Sequence, residues 1–455
     1  MYPLLVTIYI LFTILIIKNT GEKRLLYFLL GVFMMPNNIY LINNSMFMGY
    51  MLYVSAFVVS LIYNKEFKLK EIYNCPVYPQ LILVFISCIL IGLFDERMGP
   101  AIGMWRSVQY FMKTFMLFIF GWLSLRKLTI SVETEALEKD NNVFSKLLPM
   151  TLVITVYGLI TAVTKTNPIL DAVGLEDRFL FEDDESYRSF RVTGANVSSS
   201  VYGLTCGLFF MCCCFLRKKQ SKLSYVALGL LFINVFLSAT RAAMIPVIVG
   251  LALFIILNKG LNKGLKYVTI VAISVTLIYP ILPQGIKNYS SELVASIEDV
   301  LLPSGTGGEK FYGSSIDKRD MQIAASMTYL KKKPLFGHGI NYASEVILKG
   351  EKHDELLGME SYLCFIGIEL GLVYAVAIVI FFIAVLIYFL KNRKYAVKYA
   401  DIGTTFVVMY ILFLIYAWVG NAWFIMMPIL GYIMKYLYLE KESLIQKRNS
   451  NQLSQ

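Results

Sequence analysis

A long series of apolar runs, each about one membrane crossing in length, is the strongest constraint on this chain. A helix needs roughly 20 residues to cross about 30 Å of hydrocarbon. Runs of that order lie at 2–17, 25–42, 46–63, 79–94, 103–124, 147–164, 197–216, 223–239, 242–258, 267–284, 361–390, 402–418 and 421–438. In lipid the backbone polar groups must be satisfied within each segment, which makes helices the expected form. The expected fold class is all-α: a polytopic transmembrane bundle of about 12–14 spans with a long, partly helical outward loop. The run at 361–390 is long enough to bend or tilt. Residues 1–17 have no positive leader region and no small-residue cleavage site, so they read as the first span.

Composition agrees. The chain is 57% hydrophobic and only 16% charged, against about 25% charged for soluble domains. Its net charge of +11 would suit nucleic acid or an anionic surface. The distribution argues otherwise. Lys and Arg gather in alternate short loops: Lys18/Lys23/Arg24, Lys65/Lys68/Lys70, Arg126/Lys127, Arg217/Lys218/Lys219/Lys222, Lys259/Lys263/Lys266, Lys391/Arg393/Lys394/Lys398 and Lys435/Lys441/Lys447/Arg448. The intervening short loops, such as Asn37–Ser45, are nearly uncharged. That is the positive-inside pattern. It puts the N-terminus outside and the C-terminus in the cytoplasm, in a multi-pass protein of the cytoplasmic (inner) membrane. No nucleic-acid partner is expected.

Four regions follow: transmembrane helices over 1–284 with an outward loop at about 165–193; a large outward loop over 285–360; transmembrane helices over 361–440; and a cytoplasmic tail over 441–455. The stretch Pro283–Glu360 has 9 Lys/Arg against 11 Asp/Glu, so anion recognition there rests on a few placed cations. The spacing of Ile323, Ala324, Met327 and Leu330 predicts an amphipathic helix over about Asp317–Lys331, with Asp317 as its cap. Pro334 ends it and Gly337-His338-Gly339 turns the chain. The 7 Cys form no C-x-x-C pair and only 2 His are present, which excludes a zinc or disulfide framework. No cofactor and no metal are expected.

The chemistry-bearing candidates share the outward face. Arg241 stands in the turn Leu237–Met244, where a guanidinium needs a partner or water. A snorkelling arginine and an anion site both fit. Arg188 and Arg191 precede a span, Arg319 opens the amphipathic helix, and Lys331-Lys332-Lys333 close it. Each alone suits a solvated charge; together they suit phosphate oxygens, which arginine holds in two-point contact. Arg106 and Lys113 lie seven apart in one span, either paired or lining a lipid-phosphate path. For acid–base work, His353 can take a proton near neutral pH and Glu360 stands at a span entrance. A surface histidine and a helix N-terminal carboxylate are the plainer readings. Asp95, Glu96 and Arg97 read as a plain loop.

In order and topology these pieces resemble the O-antigen polymerase and ligase superfamily of membrane glycosyltransferases. Arg191-Val-Thr-Gly194 is similar to its R-x-x-G element, and Ser238-Ala-Thr-Arg241 to its S-x-[ST]-R turn. Arg319 with Lys333-Pro-Leu-Phe-Gly-His-Gly339 is similar to its R…p-l-x-G-x-G stretch. Glu360-Ser-Tyr-Leu followed by Glu369-Leu-Gly371-Leu is similar to its [HD]-N-x-Y-L…E-x-G-L element. The resemblance covers mainly residues 188–375. This chain carries Glu360-Ser361 where many relatives have His-Asn or Asp-Asn, and His353-Asp354 is the other match.

The resemblance implies metal-independent, inverting sugar transfer that polymerises undecaprenyl-diphosphate-linked oligosaccharide repeats into O-antigen or capsule. Donor and acceptor would both be lipid-linked, within membrane lipid. It implies that Arg188, Arg191, Arg241, Arg319 and Lys333 hold the diphosphate, with Arg241 also catalytic beside Glu360 or His353. A chain-length regulator and a flippase are the protein partners it admits. A ligase acting on another acceptor is the alternative within the class, and a lipid-linked oligosaccharide transporter the alternative outside it. A transporter would carry internal repeats and broken midplane helices, and no repeat is visible.

Overall fold

The computed structural model describes residues 2–36, 38–41, 45–125, 143–173, 191–196, 198–216, 221–266, 269, 316–343, 345, 356, 361–417 and 422–453. The chain is a helical membrane bundle. It runs through α1 (Tyr2–Lys18), α2 (Gly21–Met34), α3 (Gly49–Tyr63), the short α4 (Leu69–Tyr73), α5 (Tyr78–Leu93), α6 (Pro100–Thr114) and α7 (Met116–Leu123). It continues through α8 (Val143–Thr164), the short α9 (Pro168–Ala172), α10 (Ser199–Phe215), α11 (Lys222–Leu237) and α12 (Arg241–Lys259). Then come α13 (Ile316–Lys332), α14 (Tyr362–Phe365), a π-helical turn over Ile366–Leu370, α15 (Gly371–Asn392), α16 (Val397–Tyr416) and α17 (Trp423–Leu453). Every expected span has its helix except 267–284, which apart from residue 269 lies outside the described residues.

Three corrections concern the elements. The runs 25–42 and 46–63 do not stay helical to their ends: Asn38–Leu41 and Ser45–Met48 pair as an antiparallel hairpin, β1 and β2. The run 103–124 breaks at Phe115 into α6 and α7. The helix read as Asp317–Lys331 begins at Ile316, so Asp317 lies inside its first turn. Its packing face is not the apolar stripe that marked it in the sequence. Gln322, Ala325, Ser326 and Tyr329 are buried, while Ile323 and Met327 are exposed. Periodicity located an apolar stripe, but Gln322, Ala325, Ser326 and Tyr329 make the contact. The tail beyond 440 continues α17 without a break.

Small residues also set the close helix crossings. A Cβ at Gly121 of α7 would stand 1.9 Å from the Pro428 carbonyl oxygen of α17, and one at Gly431 would stand 2.0 Å from the Phe118 oxygen. The two backbones touch there with no side chain between them. At the end of the bundle holding the basic loops, Arg24 is fully buried. It pairs with Glu66 at 2.6 Å and lies over the Phe57 ring. Arg393 pairs with Asp401 and donates to the Leu257 carbonyl. Cys212 and Cys213 are core packing.

Candidate functional site

The end of the bundle opposite the basic loops gathers the motif segments. Val192 N–H donates to the Leu237 carbonyl at 3.1 Å. That bond ties the segment after Arg191 to the last residue of α11, and Arg241 follows four residues later as the first residue of α12. The turn between has Ser238 Oγ donating to Val235 O at 2.6 Å and Ala239 at φ 49. A buried polar frame holds the other segment. Asn167 Nδ2 donates to Thr193 Oγ1 and to Gly194 O, both at 2.9 Å. The Tyr50 hydroxyl lies 3.2 Å from Asn196 Oδ1. Arg191 and Arg241 are both half-buried.

A second assembly joins the chain after α13 to the π-turn and the start of α15. His338 N–H donates to Ile368 O and Gly339 N–H to Glu369 O; in return Leu372 N–H donates to Pro334 O and Val373 N–H to Leu335 O. This four-bond strap runs two backbones side by side. It requires glycine at the crossing. Gly337 and Gly371 hold φ of 65 and 69, and a Cβ on Gly337 would stand 2.4 Å from the Glu369 carbonyl carbon. The π-turn that carries Glu369 turns its carboxylate onto the chain beyond the strap: Oε2 accepts Asn341 N–H at 3.1 Å and Oε1 accepts Ala343 N–H at 2.9 Å. Such turns recur at functional sites.

Charges fasten the strap to the rest of the bundle. Arg97 grips Asp95 at 2.9 Å and 3.2 Å, donates to Ile340 O at 3.1 Å and reaches Glu345 at 3.4 Å. Arg106 meets both oxygens of Glu345 at 2.8 and 3.0 Å. Lys333 Nζ sits 2.6 Å from Glu96 Oε2, and that bond holds the Glu96 carboxyl below its usual range. His338 is pushed below the usual imidazole range by burial, with Lys333, Lys332 and Arg97 adding to the effect. Asp95, Glu96 and Arg97 are therefore not a plain loop. They are the anchorage for residues 333–345.

The sequence candidates fall out unevenly. The backbones beside Arg191 and Arg241 come together. Arg319 lies in the first turn of α13, and Lys333 is in the pair with Glu96. Arg106 pairs with Glu345, which is the structural alternative of the two readings; Lys113 lies near the Tyr110 ring. Arg188, His353 and Glu360 lie outside the described residues; Ser361, beside Glu360, caps α14 through Leu363 N–H. Sequence reasoning missed Glu369 as a contact-making residue, and missed Glu345 altogether. Glu369 carried a signal: an acid two residues before a glycine inside an otherwise apolar span.

No curated protein matches the chain. Residues 226–375 match the family described as O-antigen ligase. That stretch contains Ser238–Arg241, Arg319, Lys333–Gly339 and Glu369–Gly371, so the resemblance of these motifs to the O-antigen polymerase and ligase superfamily holds.

Proposed function

We propose that the chain is a membrane glycosyltransferase that polymerises undecaprenyl-diphosphate-linked oligosaccharide repeats on the outer face of the cytoplasmic membrane. The observation that carries this reading is the family match over residues 226–375, coinciding with the strap and the Leu237–Arg241 turn at one end of the bundle. The acceptor sugar hydroxyl attacks the donor's anomeric carbon. Its proton passes to Glu360 or His353. The bond from that carbon to the diphosphate oxygen breaks, and the lipid diphosphate leaves with the electron pair. Direct displacement inverts the anomeric centre. Arg191, Arg241 and Arg319, with Arg188 and Lys333 beside them, hold the diphosphate and stabilise its gathering charge. The bilayer confines donor and acceptor lipids to one surface, which lowers the entropy cost of their meeting.

A ligase that moves the glycan to a different acceptor is the second reading, favoured by the matching family being that of the O-antigen ligases. Glu360-Ser361 in place of the His-Asn of many relatives favours the polymerase. The deciding experiment gives purified protein synthetic lipid-diphosphate repeats, with and without EDTA. A ladder of longer lipid-linked glycans, unchanged by EDTA, is expected. Transfer only to an unrelated acceptor would select the ligase. Export of the lipid from liposomes with no new glycosidic bond would remove both.

A further inference from the structure

Between the turn after α5 and the first residues of the strap lies an open cavity of about 670 Å³, of whose lining the mechanism above uses Lys333 alone. Its platform is aromatic. Phe94 and Phe336 stack with centroids 4.4 Å apart and planes 11° from parallel, and Phe94 still leaves 53% of its surface exposed. Leu335 extends the platform at 55% exposed. Charged groups rim it: Glu96, Lys332 and Lys333, with Asp95 at the base.

The charges decide the ligand class. Two acids face two bases, and the closest pair is already closed: Lys333 to Glu96 at 2.6 Å. Asp95 is likewise held by Arg97. A seat for a free phosphate or an anionic headgroup needs several placed cations, and once Lys333 is closed on Glu96 and Arg97 on Asp95 the rim offers only Lys332 beyond those pairs. A seat for an acyl chain needs an unbroken apolar trough. A hydroxyl-rich, uncharged ligand suits both features. Its C–H faces stack on an exposed ring, whose face is the negative part of its quadrupole. Its hydroxyls bond the rim carboxylate and ammonium, which act as acceptor and donors. The volume lies in the range that encloses a drug-sized ligand, the bulk of a short oligosaccharide.

We infer that this cavity is a glycan-binding subsite, separate from the diphosphate-holding arginines, that holds sugar residues of the chain being extended. The inference rests on the glycosyltransferase reading. Because the cavity's far wall is the strap itself, a bound oligosaccharide would lie directly along the segment that leads toward Glu345 and Arg106.

The test uses the full-length protein in nanodiscs and, as probe, repeat-unit oligosaccharides released from the organism's own polysaccharide by mild acid. Binding is read by saturation-transfer NMR and calorimetry. Wild type is expected to bind. Phe94→Ala is expected to weaken binding at least tenfold and to shorten the polymer ladder at least threefold, while Phe94→Trp keeps both near wild type because the platform remains. Glu96→Gln, which keeps an acceptor, is expected to lose less than Glu96→Ala. Equal binding by wild type and Phe94→Ala overturns the subsite, as does equal loss in Phe94→Ala and Phe94→Trp. So does phospholipid retained in native mass spectra and lost from the Lys332→Gln/Lys333→Gln double variant, since the occupant is then a lipid. If wild type binds the oligosaccharide but makes no polymer, the glycosyltransferase reading fails on its own, and the binding result still stands.

Discussion

The Glu369 carboxylate accepts the backbone N–H of Ala343 at 2.9 Å, and through its other oxygen that of Asn341, so an acid inside a span fixes chain 26 residues earlier. Removing it leaves two N–H groups without their acceptor. Hydrogen bonds to a charged group contribute about 1.5–3 kcal/mol each. Glu369→Ala is expected to release residues 339–343, seen as at least a tenfold rise in their amide exchange, and to lower sugar transfer at least tenfold. Glu369→Gln keeps one acceptor oxygen and should fall between. Unchanged exchange in Glu369→Ala would falsify the pinning role.

Gly337→Ala and Gly371→Ala test the strap from the other side. Left-handed backbone costs a residue with a Cβ about 1–2 kcal/mol, and the added carbon meets backbone at 2.4 and 2.5 Å besides. Each variant should lose more than about 2 kcal/mol of stability, read as a lower midpoint in detergent thermal unfolding. Ala at the exposed Gly260, where φ is positive but no atom lies near, should lose only the first part.

His338 supplies a pH dependence. Burial disfavours its charged form, so its folded-state pKa lies below the unfolded value of about 6.5. Between those two values the released strap binds a proton that the docked strap does not. Docking is therefore fully stable above about pH 6.5 and weakens as pH falls below it. Exchange of the Gly339 and Tyr342 amides, corrected for intrinsic rate, should rise from about pH 7.5 to about pH 5.5. His338→Gln should flatten that rise.

Arg241→Lys separates charge from geometry. A lysine keeps the positive charge but not the planar fork that grips two phosphate oxygens. Under the proposed function, Arg241→Ala is expected to lose about 100-fold or more in transfer rate, and Arg241→Lys to recover only part of it. Normal expression with full activity in both would remove Arg241 from the site.

Glu66→Ala leaves Arg24 buried without its carboxylate. Breaking one partner of a buried pair costs about 3–5 kcal/mol. The variant should express poorly or unfold at lower temperature, and Arg24→Leu added to it should restore much of the loss.

The spans were legible because a helix in lipid declares itself by length and apolarity alone, and alternate Lys/Arg loops fixed which ends lie together. The strap was half legible. Gly337, Gly339 and Gly371 stood out as turn residues, but nothing local says that the two stretches lie side by side. The Arg106–Glu345 pair was not legible at all, since its partners are 239 residues apart and a charge's partner leaves no mark on spacing. The stripe of Ile323 and Met327 on α13 was legible, but which face packs was not: those two side chains are exposed, and Gln322, Ala325, Ser326 and Tyr329 make the contact. The end of α2 was missed because Asn38–Leu41 is as apolar as the helix before it, and a two-stranded hairpin needs little more than a turn.

The crossing of Gly121 against Pro428 and of Gly431 against Phe118 bears on how substrate arrives. Both contacts join α7 to α17 at backbone distance, so these two helices, about 300 residues apart in the chain, are locked face to face. A joint of this kind lets neither helix slide or turn without the other. Under the proposed function, lipid-borne sugar would meet α7 and α17 as one fixed wall.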